Sequence, residues 1–516
     1  MKPTQEFSTR FEEAKKWRSL VEPYIKEVYS FCAPDRVDEF TKGGMRQVSS
    51  VDTEVYHSLG EEASDDLAGD LVTFFTPPEA RWFDSLIMTE VPEEAEEQAK
   101  ELVGQRESDI ASLIQSSNYN DIAPQIGQEI ASHGTPAMWV QKAHFQQPVY
   151  CEAVPPSELY IVPGHMGMLD RFREKTVRAN TLKALFADEI AAGSVDLEGN
   201  PKIKAKINEP GSTCVVVWGF WLDWTDPGFP MWKMEITIDN HRVTPSDPVT
   251  LGPVNGSCPL LVGRFNPRSG RPWGRGPGLR ALADLRVLDK IEEIYLLGLE
   301  DAIKNTIIYA DDGFLDFSNG GIIPGSANPA SRGFTRDQIY ELNKSTDMEV
   351  AFFSKDDMER RIRSLFYQDG PRQRGDTPPT AAQWFDEARR VQQRLGKPSA
   401  PLWTEFYGPF VQRVEFLGVQ MGDLDPQLLL DGRAINVQPV SPLHKAQQHD
   451  QVMIARTNME TAQVNFGPEG AMQIIDMGKT FQNILEASGD ELTVIRKEDA
   501  NPPQGPTNEP APEPDQ

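Results

Sequence analysis

"PWGRGPGLRALADLRVLDKIEEIYLLGLEDAIKN", residues Pro272 to Asn305, sets a glycine-rich turn directly before a long patterned stretch. Two readings compete for the Gly274-Arg275-Gly276-Pro277-Gly278 turn: a phosphate cradle that opens a nucleotide-binding helix, or the hinge at the top of a structural rod. A dinucleotide fingerprint needs a strand running straight into GxGxxG, turn amides free to meet phosphate, and an acidic residue after the next strand. Here the preceding strand pattern ends at Phe265, several residues early, Pro277 removes an amide from the turn, and no second parallel strand follows. No GxxxxGK[ST] run occurs anywhere in the chain. The turn therefore reads as a hinge built on Gly274, Gly276, Pro277 and Gly278.

Beyond it, Leu279, Leu282, Leu285, Leu288, Ile291, Ile294, Tyr295 and Ala302 fall at helical intervals, with Arg280, Asp284, Asp289, Lys290, Glu292, Glu293 and Glu300 on the remaining faces. Leu282, Leu285, Leu288, Ile291 and Tyr295 are the expected packing positions. At 1.5 Å per residue the rod is about 40 Å long, enough to cross a whole domain.

On either side of the rod the period of the sequence changes. Helical patterns run from Thr9 to Phe31, from Thr53 to the Pro77-Pro78 stop, and from Pro92 to Gln115. Between Pro136 and Phe265 the period is two, in runs such as "AMWVQKAHF", "PVYCEAV", "ELYIV", "TCVVVWGFWLDW", "MWKMEITID" and "PLLVGRF" parted by Pro, Gly and Asn, with one helix over Thr181 to Ile190. After the rod come short strand patterns at Thr306–Tyr309 and Gly321–Ile323 around Asp-Gly and Asn-Gly-Gly turns, then a helix from Lys355 through Met358, Ile362, Leu365 and Phe366. "DGPRQRGDTPP", Asp369 to Pro379, is a loop by composition; Thr380 to Leu395 is helical and Arg-rich, and the helix opened by Pro401 is expected to bend at Pro409. A helical segment over Ser441 to Glu486 and an acidic, proline-rich tail, 487–516, expected to be disordered, complete the chain. The fold class is α+β, mainly α.

At 516 residues with a net charge of −27, the surface as a whole repels nucleic acid and anionic membrane, so any DNA contact must come from local basic clusters or from confinement. The four cysteines, Cys32, Cys151, Cys214 and Cys258, lie far apart without a CxxC pair or a histidine at ligand spacing, and read as reduced core thiols rather than a disulfide or metal framework. No signal core and no apolar run of spanning length appears. No GxSxG, HExxH or Cys/His constellation is present, and the carboxylate pairs Asp311-Asp312, Asp356-Asp357 and Glu292-Glu293 are explained by solvated faces. Catalytic residues, metal and cofactor are therefore not expected. Basic positions gather after residue 359, and arginine suits phosphate as well as salt bridges between subunits. Arg372 and Arg374, in the loop, with Arg363 on the helix before it, are the candidates for DNA contact. Trp218, Trp221, Trp224 and Trp232 admit a second reading, a sugar platform on a carbohydrate-binding or carbohydrate-active virion or surface protein.

Taken in order, "TPPEARWFD", "WGRGPGLRALADLRVLDKIEE", "GGIIPG" and "TPPTAAQWFDEARRVQQRLG...LWTEFYGPFVQRV" resemble the head-to-tail connector, or portal, proteins of short-tailed bacteriophages, and the likeness runs from about Phe11 to about Ala487. Thr380-Ala381-Ala382-Gln383 departs from the "ATEV"-like start that the arm helix has in the family. The resemblance implies a non-enzymatic subunit of a twelve-membered homo-oligomeric ring at one capsid vertex of the virion, assembled in the host cytoplasm. Through the ring double-stranded viral DNA would be packaged by a separate terminase and later ejected into the tail, with tail adaptors, major capsid and scaffolding proteins as further partners and no membrane. It further implies a wing (1–277, β-rich over 136–265), stem helices at 278–305 and 356–366, a clip at 306–355, a channel loop at 367–379, kinked wing helices at 380–440 and a crown at 441–486.

Overall fold

The computed structural model describes residues 2–40, 55–78, 81–87, 93–143, 147–245, 248–303, 307–309, 339–341, 348–368, 394–425, 435–439, 455–462, 480 and 484. The chain forms two compact units, one of Met1–Ala80 with Ser85–Gln438 and one of Arg81–Asp84 with Pro439–Gln516. In the smaller unit Trp82 and Phe83 meet edge to face at 5.2 Å, and residues 455–462 are helical. The rest of the expected crown, the tail, and the expected Gly321–Ile323 strand lie outside the described residues.

The chain begins with helices α1 (Gln5–Cys32), α2 (Leu59–Phe75), α3 (Glu93–Gln115) and α4 (Tyr119–Ser132), with the short strand β1 (Phe83–Ile87) between α2 and α3 in sequence. Thr4 caps α1: its hydroxyl accepts from Phe7 N–H (3.2 Å) and donates to the buried Glu235 (2.6 Å), so the cap also ties the helix to the sheet. Helix α2 starts at Leu59, later than the Thr53 expected, because residues 55–58 are not helical. Helix α4 was hidden in the sequence by Asn118, Asn120 and Pro124; Pro124, the sixth residue of the helix, forgoes the bond that an N–H there would make to Asn120 O, and the helix continues past it.

The two-residue period between Pro136 and Phe265 folds into two antiparallel sheets. One joins β10 (Leu260–Val262), β2 (Ala137–Lys142) and β3 (Val149–Ala153). The other is ordered β4 (Leu159–Pro163), β5 (Leu169–Arg178), β6 (Thr213–Asp223), β7 (Met231–Ile238) and β8 (His241–Arg242), with β9 (Val249–Pro253) also paired to β7. Alternate residues of β6 serve two cores. Val216, Trp218, Phe220 and Leu222 join Ile25 and Tyr29 of α1, Trp139 of β2 and the short helices α5 (Leu182–Leu185) and α7 (Pro201–Ile207), between which lies α6 (Ala187–Ala191) with no buried side chain. On the opposite face Val217 and Trp221 meet Phe7, Phe11 and Ala14 of α1. Gly219 is what lets Phe7 seat there, since a Cβ would lie 2.6 Å from its ring. The expected Thr181–Ile190 helix is split at Phe186, whose buried ring fills the core in a non-helical backbone conformation. Strand β5 is absent from the sequence reading because "LDRFREKTVR" looks solvated. Arg171 and Arg173 are in fact buried, the first donating to Leu260 O (2.7 Å) and the second pairing with Glu152 (2.8 Å) and Glu158 (2.9 Å). All four cysteines are buried and free, as expected.

The rod is continuous as α8 (Pro277–Ile303), followed by the antiparallel pair β11 (Ile307–Tyr309) and β12 (Ile339–Glu341), then α9 (Met348–Leu365). Helix α9 begins at Met348, ahead of the Lys355 expected, because the apolar run "MEVAFF" does not display a helical period. Residues 394–402 are helical and continue through a π turn, Trp403–Tyr407, into α10 (Gly408–Met421); strand β13 (Ile435–Pro439) follows. The bend expected at Pro409 takes the form of that π turn. Pro409 lacks the amide that an α-helical bond to Glu405 requires, and Gly408 N–H reaches back to Trp403 O instead. A buried ion pair, Arg106–Glu415 at 3.1 Å, binds α10 to α3, and Phe410 stacks on Tyr119 of α4 at 4.6 Å. Among the described residues no helix is long and apolar enough to cross a membrane.

Candidate functional site

Everything that sets the direction of α8 converges on its first turn. Gly274 N–H donates to Thr135 Oγ1 (2.9 Å), Arg275 N–H to Phe265 O (2.8 Å) and Gly276 N–H to His133 O (3.0 Å), while Pro277 has no N–H to give. No amide from Gly274 to Pro277 is left to meet a phosphate, and the cradle reading fails on that count. The glycines serve close approach instead. A Cβ on Gly274 would sit 2.0 Å from Gly134 O, and on Gly276 or Gly278 it would sit 2.6 or 2.7 Å from Ser132 O. Facing them, Gly134 takes φ +84°, a left-handed conformation that suits glycine, with its own Cβ position 2.2 Å from Gly276 N. The expected hinge is thus a fastened joint: two backbone segments run against each other with no room for side chains.

A buried polar cluster holds the other side of this joint. Glu129, on the last turn of α4, accepts from Tyr29 Oη (2.6 Å), Arg36 Nη2 (2.5 Å) and His133 Nε2 (2.5 Å). Thr135 N–H donates to His133 Nδ1 (3.1 Å), which leaves Nε2 to carry the proton shared with Glu129. Burial works to raise Glu129, but Arg36 and His133 beside it, and the hydrogen bonds from His133 and Tyr29, hold the carboxyl down at about 2. The cluster joins α1, the 3-10 turn Pro34–Phe40 and α4 to the loop that receives α8. The sequence reading missed it; its only local signal is the i, i+4 spacing of Glu129 and His133.

Along α8 the expected packing positions divide. Leu282, Leu285 and Leu288 are buried with Ala281, whereas Ile291 and Tyr295 are only half-buried. Arg286 pairs with Glu27 of α1, Asp289 accepts from Tyr56 N–H (2.7 Å), and α9 runs alongside through Arg361–Asp284 (3.1 Å) and Lys355–Glu292 (2.7 Å). Beyond Leu288 the helix turns apolar side chains outward: Ile294 is 56%, Leu296 44% and Leu297 53% exposed. A root fixed in the core and a distal half with an uncovered apolar face is an arrangement that suits packing against another chain.

Of the candidate DNA contacts, Arg363 lies 3.4 Å from Glu62 in a solvent-exposed ion pair. Arg372 and Arg374 lie outside the described residues. The sugar-platform reading is overturned: Trp218, Trp221 and Trp232 are buried in the two cores of the sheet, and Trp224 packs half-buried against His165 at 4.9 Å. A ring with both faces covered by protein has none left for a sugar.

A family profile described as bacteriophage head to tail connecting protein matches residues 4–197 and 255–495. The chain belongs to that family. The unmatched span 198–254 carries α7 and strands β6 to β9. Among solved structures, the virion of a native gene transfer agent particle matches at 13% identity and a TM-score of 0.36, over 80% of this chain and 86% of that one. The neck of the native particle, computed with C12 symmetry, matches at 13% identity and 0.38, over 83% and 90%. The neck of the empty particle, computed with C6 symmetry, matches at 14% and 0.34, over 84% and 95%. No curated protein matches the sequence.

Proposed function

We propose that the chain is a portal subunit: a closed ring of copies at one capsid vertex surrounds a channel through which a separate terminase packages DNA and from which DNA leaves into the tail. Membership of the head-to-tail connecting family supports this reading, and within the fold one observation carries it. Helix α8 is fastened at its root by the glycine joint and by Leu282, Leu285 and Leu288, while Ile294, Leu296 and Leu297 project uncovered. A head-to-tail ring requires two different complementary faces on each subunit, and an apolar strip beside charged residues of both signs supplies such a face.

In this reading α8 and α9 form the stem, and the segment between them, with the β11–β12 pair at its base, forms the clip that docks the motor first and tail adaptors later. Residues 367–379 are the channel loop, 380–440 return to the wing and 441–486 form the crown. Twelve copies is the number the family resemblance suggests. The subunit's part is structural, and ATP hydrolysis belongs to the motor. End-on electron microscopy of the purified protein tests the reading directly: class averages should show rings with a central hole, and monomers or dimers under all conditions would overturn it.

A further inference from the structure

The acidic excess of this chain is interrupted once in a telling place. From Pro248 to Ala283 there is no Asp or Glu, and Arg264, Arg268, Arg271, Arg275 and Arg280 fall within that stretch. Arg264 is spoken for, paired through both nitrogens with Glu405 (2.9 and 2.6 Å). Among the described residues, no carboxylate is paired with Arg268, Arg271, Arg275 or Arg280. Arg268 and Arg271 are exposed, Arg275 and Arg280 half-exposed. In a chain with 78 acidic side chains against 51 basic ones, leaving four neighbouring guanidiniums unneutralised calls for an anion from elsewhere.

These arginines are also held in place without a ligand. The loop that carries them is closed by Arg275 N–H to Phe265 O (2.8 Å), turned by Arg271 N–H to Arg268 O (3.1 Å) with Gly270 at φ +74°, and pinned by Asn266 N–H to Pro398 O (2.8 Å). Arg280 donates to Tyr367 Oη (3.1 Å), and Arg394 lies over the Tyr367 ring at 5.6 Å. Burial first, and then the nearby charges of Arg268, Arg280 and Arg271, push Arg275 below its ordinary value.

We infer that Arg268, Arg271, Arg275 and Arg280 form a phosphodiester-binding cluster, a contact for the backbone of duplex DNA at the root of the long helix. The inference rests on the portal reading and deepens it: Tyr367, which Arg280 holds, opens the segment assigned there as the channel loop. Guanidiniums match phosphate oxygens as a fork, and a pinned loop loses little freedom on binding. Because the rest of the surface repels DNA, the cluster should dominate what affinity the protein has.

The test is binding of a short fluorescent DNA duplex to the assembled protein, followed by anisotropy between about 50 and 200 mM salt. Wild type should bind with a steep salt dependence. Arg268→Gln with Arg271→Gln and Arg275→Gln should lower the slope of log affinity against log salt by about 0.9 per arginine removed and weaken binding at least ten-fold, roughly, at about 100 mM salt. The three Arg→Lys replacements should keep most of both. Should the triple variant fold poorly, Arg268→Gln with Arg271→Gln, both at exposed positions, shows the same effect at smaller size. Unchanged binding, or no binding by wild type, overturns the inference while rings in the microscope leave the portal reading standing. Loss of rings with DNA affinity intact would assign the arginines to carboxylates of a neighbouring copy and also overturns it. Absence of rings in wild type is the failure of the portal reading itself.

Discussion

Glu129 is the residue on which the joint turns energetically. A buried carboxylate costs several kcal/mol to desolvate, and here Arg36, His133 and Tyr29 return that cost through charge and hydrogen bonds. Glu129→Gln removes the charge that Arg36 and His133 face in the core, and should cost about 3 kcal/mol at neutral pH, read as a lower urea midpoint. The sign of the pH effect follows from the depressed carboxyl. Its stabilisation is present above the ordinary carboxylate range and disappears as pH falls from about 4.5 through about 2. Wild type should therefore lose more stability than Glu129→Gln across that window; parallel pH profiles would remove Glu129 from this role. The glycines make a second, paired prediction. Gly276→Ala pushes a methyl group into Ser132 O, a backbone atom that cannot step aside, and should cost at least about 2 kcal/mol or the soluble protein altogether. Gly298→Ala, inside α8 with nothing within 4 Å of the added Cβ, should stabilise by about 0.5–1 kcal/mol. Equal effects on the urea midpoint would mean that the joint is not packed as described.

Among the elements, those whose burial follows one period were legible. Helix α8 announces itself because its leucines repeat at helical spacing, and β6 and β7 because apolar residues run between clear Pro and Gly breaks. Strand β5 was not, because its buried polar residues are neutralised by pairing, Arg173 by two glutamates, and helix α4 was not, because Asn118, Asn120 and Pro124 obscure the buried face of Ala123, Ile126 and Ile130, on which Glu129 is kept by Arg36 and His133. A window of sequence cannot show a partner that lies far along the chain. The same limit explains the split of α8. Leu288 and Ile294 look alike in the stripe, and only the tertiary arrangement, with α1, α2 and α4 around the root, buries one and leaves the other open. That difference is testable. Ile294→Glu with Leu297→Glu changes side chains already facing solvent, so the unfolding free energy of the single chain, from urea titration, should change by less than about 0.5 kcal/mol. Light scattering after size exclusion should nonetheless show rings giving way to single subunits, and rings of undiminished yield would remove the distal face of α8 from the subunit interface.

At the scale of the whole molecule the governing quantity is charge. Each copy of the chain carries −27, so in the portal reading a ring of copies would present duplex DNA with a strongly repulsive wall relieved at few points. A conduit needs such a balance. Every fixed cation–phosphate contact adds affinity, and a bore lined with many would hold the duplex where it stood. The composition of "DGPRQRGDTPP" singled out Arg372 and Arg374 but not the second group at Arg268 to Arg280, whose lack of acidic partners is visible only once the chain is folded. The loop arginines are therefore expected to act on retention and not on assembly. In the portal reading, which puts subunit contacts on the distal face of α8, Arg372→Ala with Arg374→Ala should give rings in normal yield, while particles carrying the variant should retain less DNA, by several-fold, as measured by genome copies protected from nuclease per particle. The deficit should deepen as salt rises, since screening weakens the contacts that remain. Particles with full genome content at every salt concentration would remove these two residues from the channel.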